Sequence, residues 1–253
     1  MRRWVALSAV LLYAFLHAPL LVLALFSFNA GRFTVWEGFS LRWYEEAWRD
    51  TRLIEAAGNS LWIAAAATVL ATVAGTLCAY GLWKRGSKPL MSGLAVSLVT
   101  PEIVTGVSLL ALFQWLFRYA GLQLGMHTVI LAHTGFCLAF VALVVLARLR
   151  TMDRTLEEAA MDLGAGEWEA FRRVTLPNLA PAVVSAALLA FTISFDDYVI
   201  TSLVAGVDTE TLPMVLYAMA RRGGSPVVNA ISTGIAAVLG AGILLSEALR
   251  KRA

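Results

Sequence analysis

Six apolar blocks, at about 7–28, 60–83, 90–117, 129–147, 180–205 and 227–245, constrain this chain more than any other feature. A hydrocarbon core about 30 Å thick needs about 20 apolar residues to cross it as a helix. Backbone groups in lipid must be satisfied within the segment, so blocks of this length have to be helices. The expected fold is therefore an all-α membrane protein with six transmembrane helices in a single domain, 1–253. Composition agrees: 59% of residues are hydrophobic and 15% charged, against about 45–50% and about 25% in soluble domains. An ordinary soluble enzyme, a disordered chain and a disulfide scaffold are all excluded. The first block follows Arg2 and Arg3 like a signal peptide, but roughly 22 residues is too long for a signal h-region, and it reads as an uncleaved span.

The formal charge is +3. The positive charge sits in short clusters between the blocks, with no basic helix or aromatic-basic patch, so nucleic-acid binding is not expected. Lys and Arg in short loops set orientation. With the N-terminus inside, the cytoplasmic set is Arg2, Arg3, Lys84, Arg85, Lys88, Arg148, Arg150, Arg154, Arg172, Arg173, Arg250, Lys251 and Arg252. The outer set is Arg32, Arg42, Arg49, Arg52, Arg118, Arg221 and Arg222. Thirteen against seven places both termini in the cytoplasm. Cys78 and Cys137 lie inside apolar blocks and read as packing residues. His17, His127 and His133 are scattered, which gives bundle or interfacial histidines and no metal site.

Ala67, Ala71, Gly75 and Ala79 form a small-residue stripe at four-residue spacing, and Ala182, Ala186 and Ala190 form another. Such stripes let helices approach closely in lipid. The long third block contains Pro101 and Gly106, and a proline there bends a helix. Between the first two blocks, a short amphipathic helix is expected, with Ser40 as its cap. Trp36, Trp43, Tyr44 and Trp48 suit either an interfacial belt or a docking surface for an extracytoplasmic partner.

The loop 148–177 has the pattern of structure. Thr155 and Glu158 match a capping box, with Thr155 as N-cap. Leu156, Ala159, Ala160 and Leu163 make one thin apolar stripe. Gly164 falls where a left-handed residue ends a helix, and a second short helix is expected over 167–173 before Leu176 and Pro177. Periodicity alone leaves two fates for the first helix, flat on lipid headgroups or seated in a partner's groove.

Three acids lie inside apolar blocks: Glu102, Asp196 and Asp197. A carboxylate there costs roughly 2.5–3.5 kcal/mol on insertion scales and normally faces a cavity or a partner. At 1.5 Å per residue of straight helix, Glu102 lies about 18 Å from the inner end and Asp196 about 22 Å. Either one of the aspartates caps a broken helix, or the acids line a route for a cation.

The run Glu158-Ala159-Ala160, then Gly164, then nine residues to Val174-x-Leu176-Pro177, resembles the E-A-A-x3-G-x9-I-x-L-P loop of ABC-importer permeases, with Val174 in the Ile position. Ser194-Phe195-Asp196-Asp197-Tyr198-Val199-Ile200, Thr211-Leu212-Pro213-Met214 and Pro101 to Leu110 are similar to the spermidine/putrescine type, its putrescine-system inner-membrane subunits above all. The likeness runs over most of the chain from about residue 58.

The resemblance implies a type I importer permease (MetI-like) fold with a cytoplasmic coupling helix. Glu158, Ala159, Ala160, Asp162, Gly164, Leu176 and Pro177 would couple it to an ATPase. Glu102, Asp196, Asp197 and Tyr198 would line the substrate route. The implied partners are an ABC ATPase dimer, a homologous permease subunit and an extracytoplasmic solute-binding protein, in a bacterial inner membrane. The chain lacks a G-x-x-x-x-G-K-[ST] loop, so ATP and Mg would reside on the ATPase and this chain would carry no cofactor. The rival readings are a permease for another solute, such as an opine, an amino-acid derivative or ferric ion, and more remotely a secondary transporter or channel.

Overall fold

Local sequence breaks the apolar blocks into more helices than there are blocks. The computed structural model describes residues 2–32, 35–223 and 225–250. Among them there is no strand, and an isolated bridge joins Asn29 and Phe39. The helices are α1 (Arg2–Ser27), α2 (Arg42–Arg49), α3 (Thr51–Arg85), α4 (Lys88–Val99), α5 (Glu102–Ala120), α6 (Met126–Leu149), α7 (Thr155–Asp162), α8 (Glu167–Ala170), α9 (Leu176–Asp196), α10 (Val199–Val204), α11 (Leu212–Arg221) and α12 (Pro226–Arg250). Four described helices or near-continuous helical runs are long and apolar enough to cross a membrane, five if α4 and α5 together make one span. The sixth apolar block lies in α12.

The third block is two helices set 111° apart. Thr100 (ψ 127°) and Pro101 (ψ 138°) are both extended, because proline disfavours helical backbone in the residue before it. The fifth block also breaks: α9 stops at Asp196, Asp197 is extended (ψ 127°), and α10 resumes at Val199. Straight-helix depths therefore need correction. Glu102 follows a sharp turn of the chain. Asp196 closes a helix that starts at Leu176, about 30 Å along its axis.

The chain forms two compact units. In the first (Met1–Glu55 and Val215–Ala253), α1 and α2 pack on α12. Trp43, expected at the membrane interface, is instead 1% exposed, and its Nε1 donates to the Asn29 carbonyl at 2.7 Å. Tyr44 is likewise tied inward, its hydroxyl 2.7 Å from Ser27 Oγ. An indole folds inward where its N–H finds a carbonyl. Trp36 and Trp48 are exposed. Ser40 Oγ accepts from the Arg42 N–H, while Leu41 occupies the N-cap position of α2.

In the second unit (Ala56–Met214), α6 pairs with α9, and the small-residue stripes make that core. Ala71, Ala79, Ala186 and Ala190 are fully buried together with Cys137, Val141 and Val145. A Cβ on Gly75 would come within 2.8 Å of Val141 and 3.0 Å of the Leu138 carbonyl, so only glycine lets α3 lie this close to α6. Ser60 Oγ accepts from the Leu212 N–H and Asn59 Nδ2 donates to the Glu210 carbonyl, which ties the segment after α10 back to α3.

Candidate functional site: the 148–177 loop and a broken helix

The loop folds as a helix, a glycine turn and a second helix, held against α3 and α9 by one carboxylate. Two details differ from the sequence expectation. Thr155 is the first residue of α7 and not its cap; the Asp153 carboxylate accepts from the Thr155 N–H at 3.0 Å. Asp reaches two residues ahead in this way in many turns, and that backbone hydrogen bond holds the Asp153 carboxyl below its ordinary range. The second helix is also shorter than 167–173. After Ala170 the chain makes a π-helical turn, Phe171–Thr175, that runs directly into α9. Gly164 is left-handed at φ +92°, as the spacing required.

Glu157 is the buried acid of this loop, 3% exposed, and nothing in the local pattern distinguishes it from Glu158. Tyr80 donates its hydroxyl to Oε1 at 2.7 Å, and Lys84 forms an ion pair with the same oxygen. Thr175, at the end of the π turn, donates to Oε2 at 2.8 Å. Burial works against the charge on Glu157, but the bonds from Lys84, Tyr80 and Thr175 outweigh it and hold its carboxyl below the ordinary range. One turn away, Arg154 Nη2 donates to the Trp83 carbonyl at 2.7 Å, and its guanidinium lies 4.7 Å from the Trp83 ring centroid. Two contacts thus pin the start of α7 to the last turn of α3.

The other face of α7 points away from the protein. Glu158, Ala159, Asp162 and Gly164 are exposed, Ala160 is half-buried, and Leu156 and Leu163 are 50% and 91% exposed. Leu176 and Pro177 open α9, with Leu176 half-buried and Pro177 exposed. Trp168 on α8 is 64% exposed beside this face. Glu157 and Glu158 stand about 100° apart on α7, and it is the positions of Tyr80, Lys84 and Thr175 on neighbouring elements that select Glu157.

The structure gives the three membrane acids different settings. Asp197 is turned inward at the break, with a side chain 6% exposed. It accepts from the Thr201 N–H and hydroxyl, both at 2.8 Å, and from the Ile200 N–H at 3.4 Å, which caps α10. His133 Nε2 on α6 lies 3.3 Å from the same carboxylate and 2.9 Å from Thr201 Oγ1, and its Nδ1 lies 2.7 Å from Ser194 Oγ. Serine, histidine and aspartate meet here, with Ser194 buried at 4% exposure and its hydroxyl taken up by His133. The cluster locks α6, α9 and α10 together at the break. Asp196, its neighbour, is exposed at the end of α9. Glu102 is exposed in the first turn of α5, and Tyr198 is half-buried. The four named route residues therefore separate into two exposed carboxylates, a tyrosine at the break and one carboxylate held inside.

Comparison with known proteins gives the family. Residues 71–252 match the profile of the family "binding-protein-dependent transport system inner membrane component". The chain is 44% identical over 244 residues to the putrescine transport system permease protein PotI of Escherichia coli K12, covering 94% of this chain and 87% of that one. It is 40% identical over 244 residues to the spermidine/putrescine transport system permease protein PotC of Haemophilus influenzae, covering 95% and 93%. A chain in the crystal structure of a bacterial ABC transporter involved in the import of the acidic polysaccharide alginate shares the fold, with a TM-score of 0.72 and 18% identity over 97% of this chain and 96% of that one. A helical membrane chain with an outward-facing helix–glycine–helix loop and these relatives belongs to the binding-protein-dependent transport system inner membrane components, the non-enzymatic permease subunits of ABC importers.

Proposed function

We propose that this permease carries a polyamine cation, of the putrescine or spermidine class, inward by alternating access. It works with an ABC ATPase pair that holds ATP and Mg, a homologous permease subunit and an extracytoplasmic solute-binding protein. Both termini lie in the bacterial cytoplasm, which puts the α7 loop on the ATPase side.

The observation that carries the substrate class is the exposed carboxylate of Asp196 at a helix break inside an apolar segment, with its neighbour Asp197 already held by His133 and Thr201. An intramembrane carboxylate needs a partner or a wet cavity, and no Lys or Arg of the described residues pairs with Asp196. A diammonium substrate supplies the missing positive charge, and exposed Glu102 offers a second acidic group. The identities to putrescine and spermidine/putrescine permeases support the same class.

In this mechanism ATP binding closes the ATPase pair and displaces α7. Glu157 and Arg154 convey that displacement to α3, and Thr175 conveys it to the start of α9. The test is uptake of labelled putrescine and spermidine by vesicles containing the whole complex. Asp196→Asn and Glu102→Gln should lower uptake at least tenfold with assembly unchanged, while Asp197→Asn should act mainly on assembly. Full uptake in both exposed-acid variants would remove the acids from the route.

A further inference from the structure

A cavity of about 460 Å³ lies where α3, α4 and α6 meet, just before the coupling helix. Its charged residues are Lys88, at the start of α4, and Arg150 and Arg154, in the turn between α6 and α7, and no acid lines it. Leu82, Met91 and Leu146 supply apolar wall, and the Trp83 indole stands beside them. Neither Lys88 nor Arg150 pairs with a carboxylate among the described residues. Arg154 uses one guanidinium nitrogen on the Trp83 carbonyl, and its other donors have no partner among the described residues. The nearby acid of the loop, Glu157, is already committed to Lys84, Tyr80 and Thr175. Asp153, just before Arg154, accepts from the Thr155 N–H.

The level of the cavity identifies what it meets. α3 ends at Arg85 and α6 at Leu149, so the cavity opens where both spans leave the hydrocarbon. Given the orientation proposed above, on which this inference rests, that is the headgroup level of the cytoplasmic leaflet, where anionic lipids attract basic groups. Three cations over an apolar floor match a phosphate joined to acyl chains. A carboxylate loop of a partner protein would need the cations and not the floor.

We infer that this cavity is a binding site for an anionic phospholipid headgroup. The lipid phosphate sits among Lys88, Arg150 and Arg154, and the roots of its chains lie on Leu82, Met91 and Leu146. Because Arg154 directly precedes α7 and is bonded to the end of α3, a bound lipid steadies the base of the coupling helix, and ATP-driven uptake depends on it.

The experiment uses the complete importer in detergent and in nanodiscs of defined composition. Native mass spectrometry with phosphatidylglycerol or cardiolipin reads occupancy. Lys88→Gln with Arg150→Gln should weaken retention by about 25-fold, from about fivefold per cation removed. Arg150→Lys, which keeps the charge, should retain the lipid, as should Arg148→Gln with Arg172→Gln, two exposed residues of the same face that do not line the cavity. Wild-type uptake should rise several-fold from phosphatidylcholine to phosphatidylglycerol nanodiscs, and the paired glutamine variant should lose that rise. Equal lipid retention in the paired and control variants overturns the proposal. So does inorganic phosphate that reproduces the stimulation in phosphatidylcholine, which makes the ligand the free anion. Loss of the ATPase subunits from the paired variant, with lipid retained, also overturns it and makes the patch an ATPase contact. Labelling of Ser87→Cys from each side of sealed vesicles separates the premises: reaction from the outer side alone refutes the orientation, whatever the lipid result.

Discussion

Glu157→Ala should loosen α7 and, on the proposed function, waste ATP. Each of its three bonds joins a donor to a charged acceptor, a class that contributes about 1.5–3 kcal/mol apiece. Removing one side of a buried pair costs about 3–5 kcal/mol because the other side is stranded. Lys84 is 26% exposed and regains water, whereas Thr175 is 1% exposed and does not. The low end applies, about 3 kcal/mol. In a chain of this size each kcal/mol moves a melting midpoint by about 2–4 °C, so the assembled complex should melt about 6–12 °C earlier at this subunit. Glu157→Gln keeps one acceptor oxygen and should lose about half as much. The functional readout is substrate taken up per ATP hydrolysed in reconstituted vesicles. Hydrolysis should continue while that ratio drops at least fivefold in the Ala variant, with Lys84→Met intermediate. An Ala variant with the parent's midpoint and coupling ratio would show that α7 is held by something else.

Four further outcomes follow from the same structure. Because the Glu157 carboxyl is held low in the folded chain, its contribution is complete above the ordinary value of about 4.3 and is lost as pH falls through the lowered one. The melting gap between parent and Glu157→Gln should therefore stay constant from about pH 8 to 5 and shrink only below about pH 4. His133→Leu should strand the inward carboxylate of Asp197 and lower the midpoint by about 6 °C or more, and Asp197→Asn combined with it should add much less than the sum in a double-mutant cycle. Gly164→Val would force a branched side chain to φ +92°, against about 1–2 kcal/mol of backbone strain. Its surroundings are open, so folding should survive while uptake per ATP falls. Gly206→Ala would drive a Cβ into the Leu124 carbonyl, and expression as a folded chain should drop sharply on size-exclusion chromatography.

The sequence carried the helical class, the left-handed glycine and the packing stripes, because these follow from single residues or fixed spacing. Ala71, Ala79, Ala186 and Ala190 are buried where the four-residue repeat placed them. It did not carry events that need a distant partner. Trp43 folds inward because the Asn29 carbonyl is there to meet it, and nothing local to Trp43 shows that. Asp196 and Asp197 are neighbours, and Asp197 turns inward to meet Thr201 a turn ahead and His133 some sixty residues earlier, the second of which no local pattern shows. Likewise Glu157 and Glu158 differ only in which side of α7 they occupy, and Tyr80 and Lys84 decide that side. The 111° turn after Val99 was half legible: Pro101 promised a bend and an extended Thr100 before it, but nothing local set the size of the angle.

The central claim, that the face of α7 opposite Glu157 is pressed against a nucleotide-hydrolysing subunit, is tested by a photo-crosslinking residue in place of Leu163, 91% exposed in this chain. In the assembled importer it should join the ATPase subunit in high yield, with a yield that changes between ATP-bound and nucleotide-free states. Adducts to lipid alone, with no ATPase captured in either state, would contradict the account.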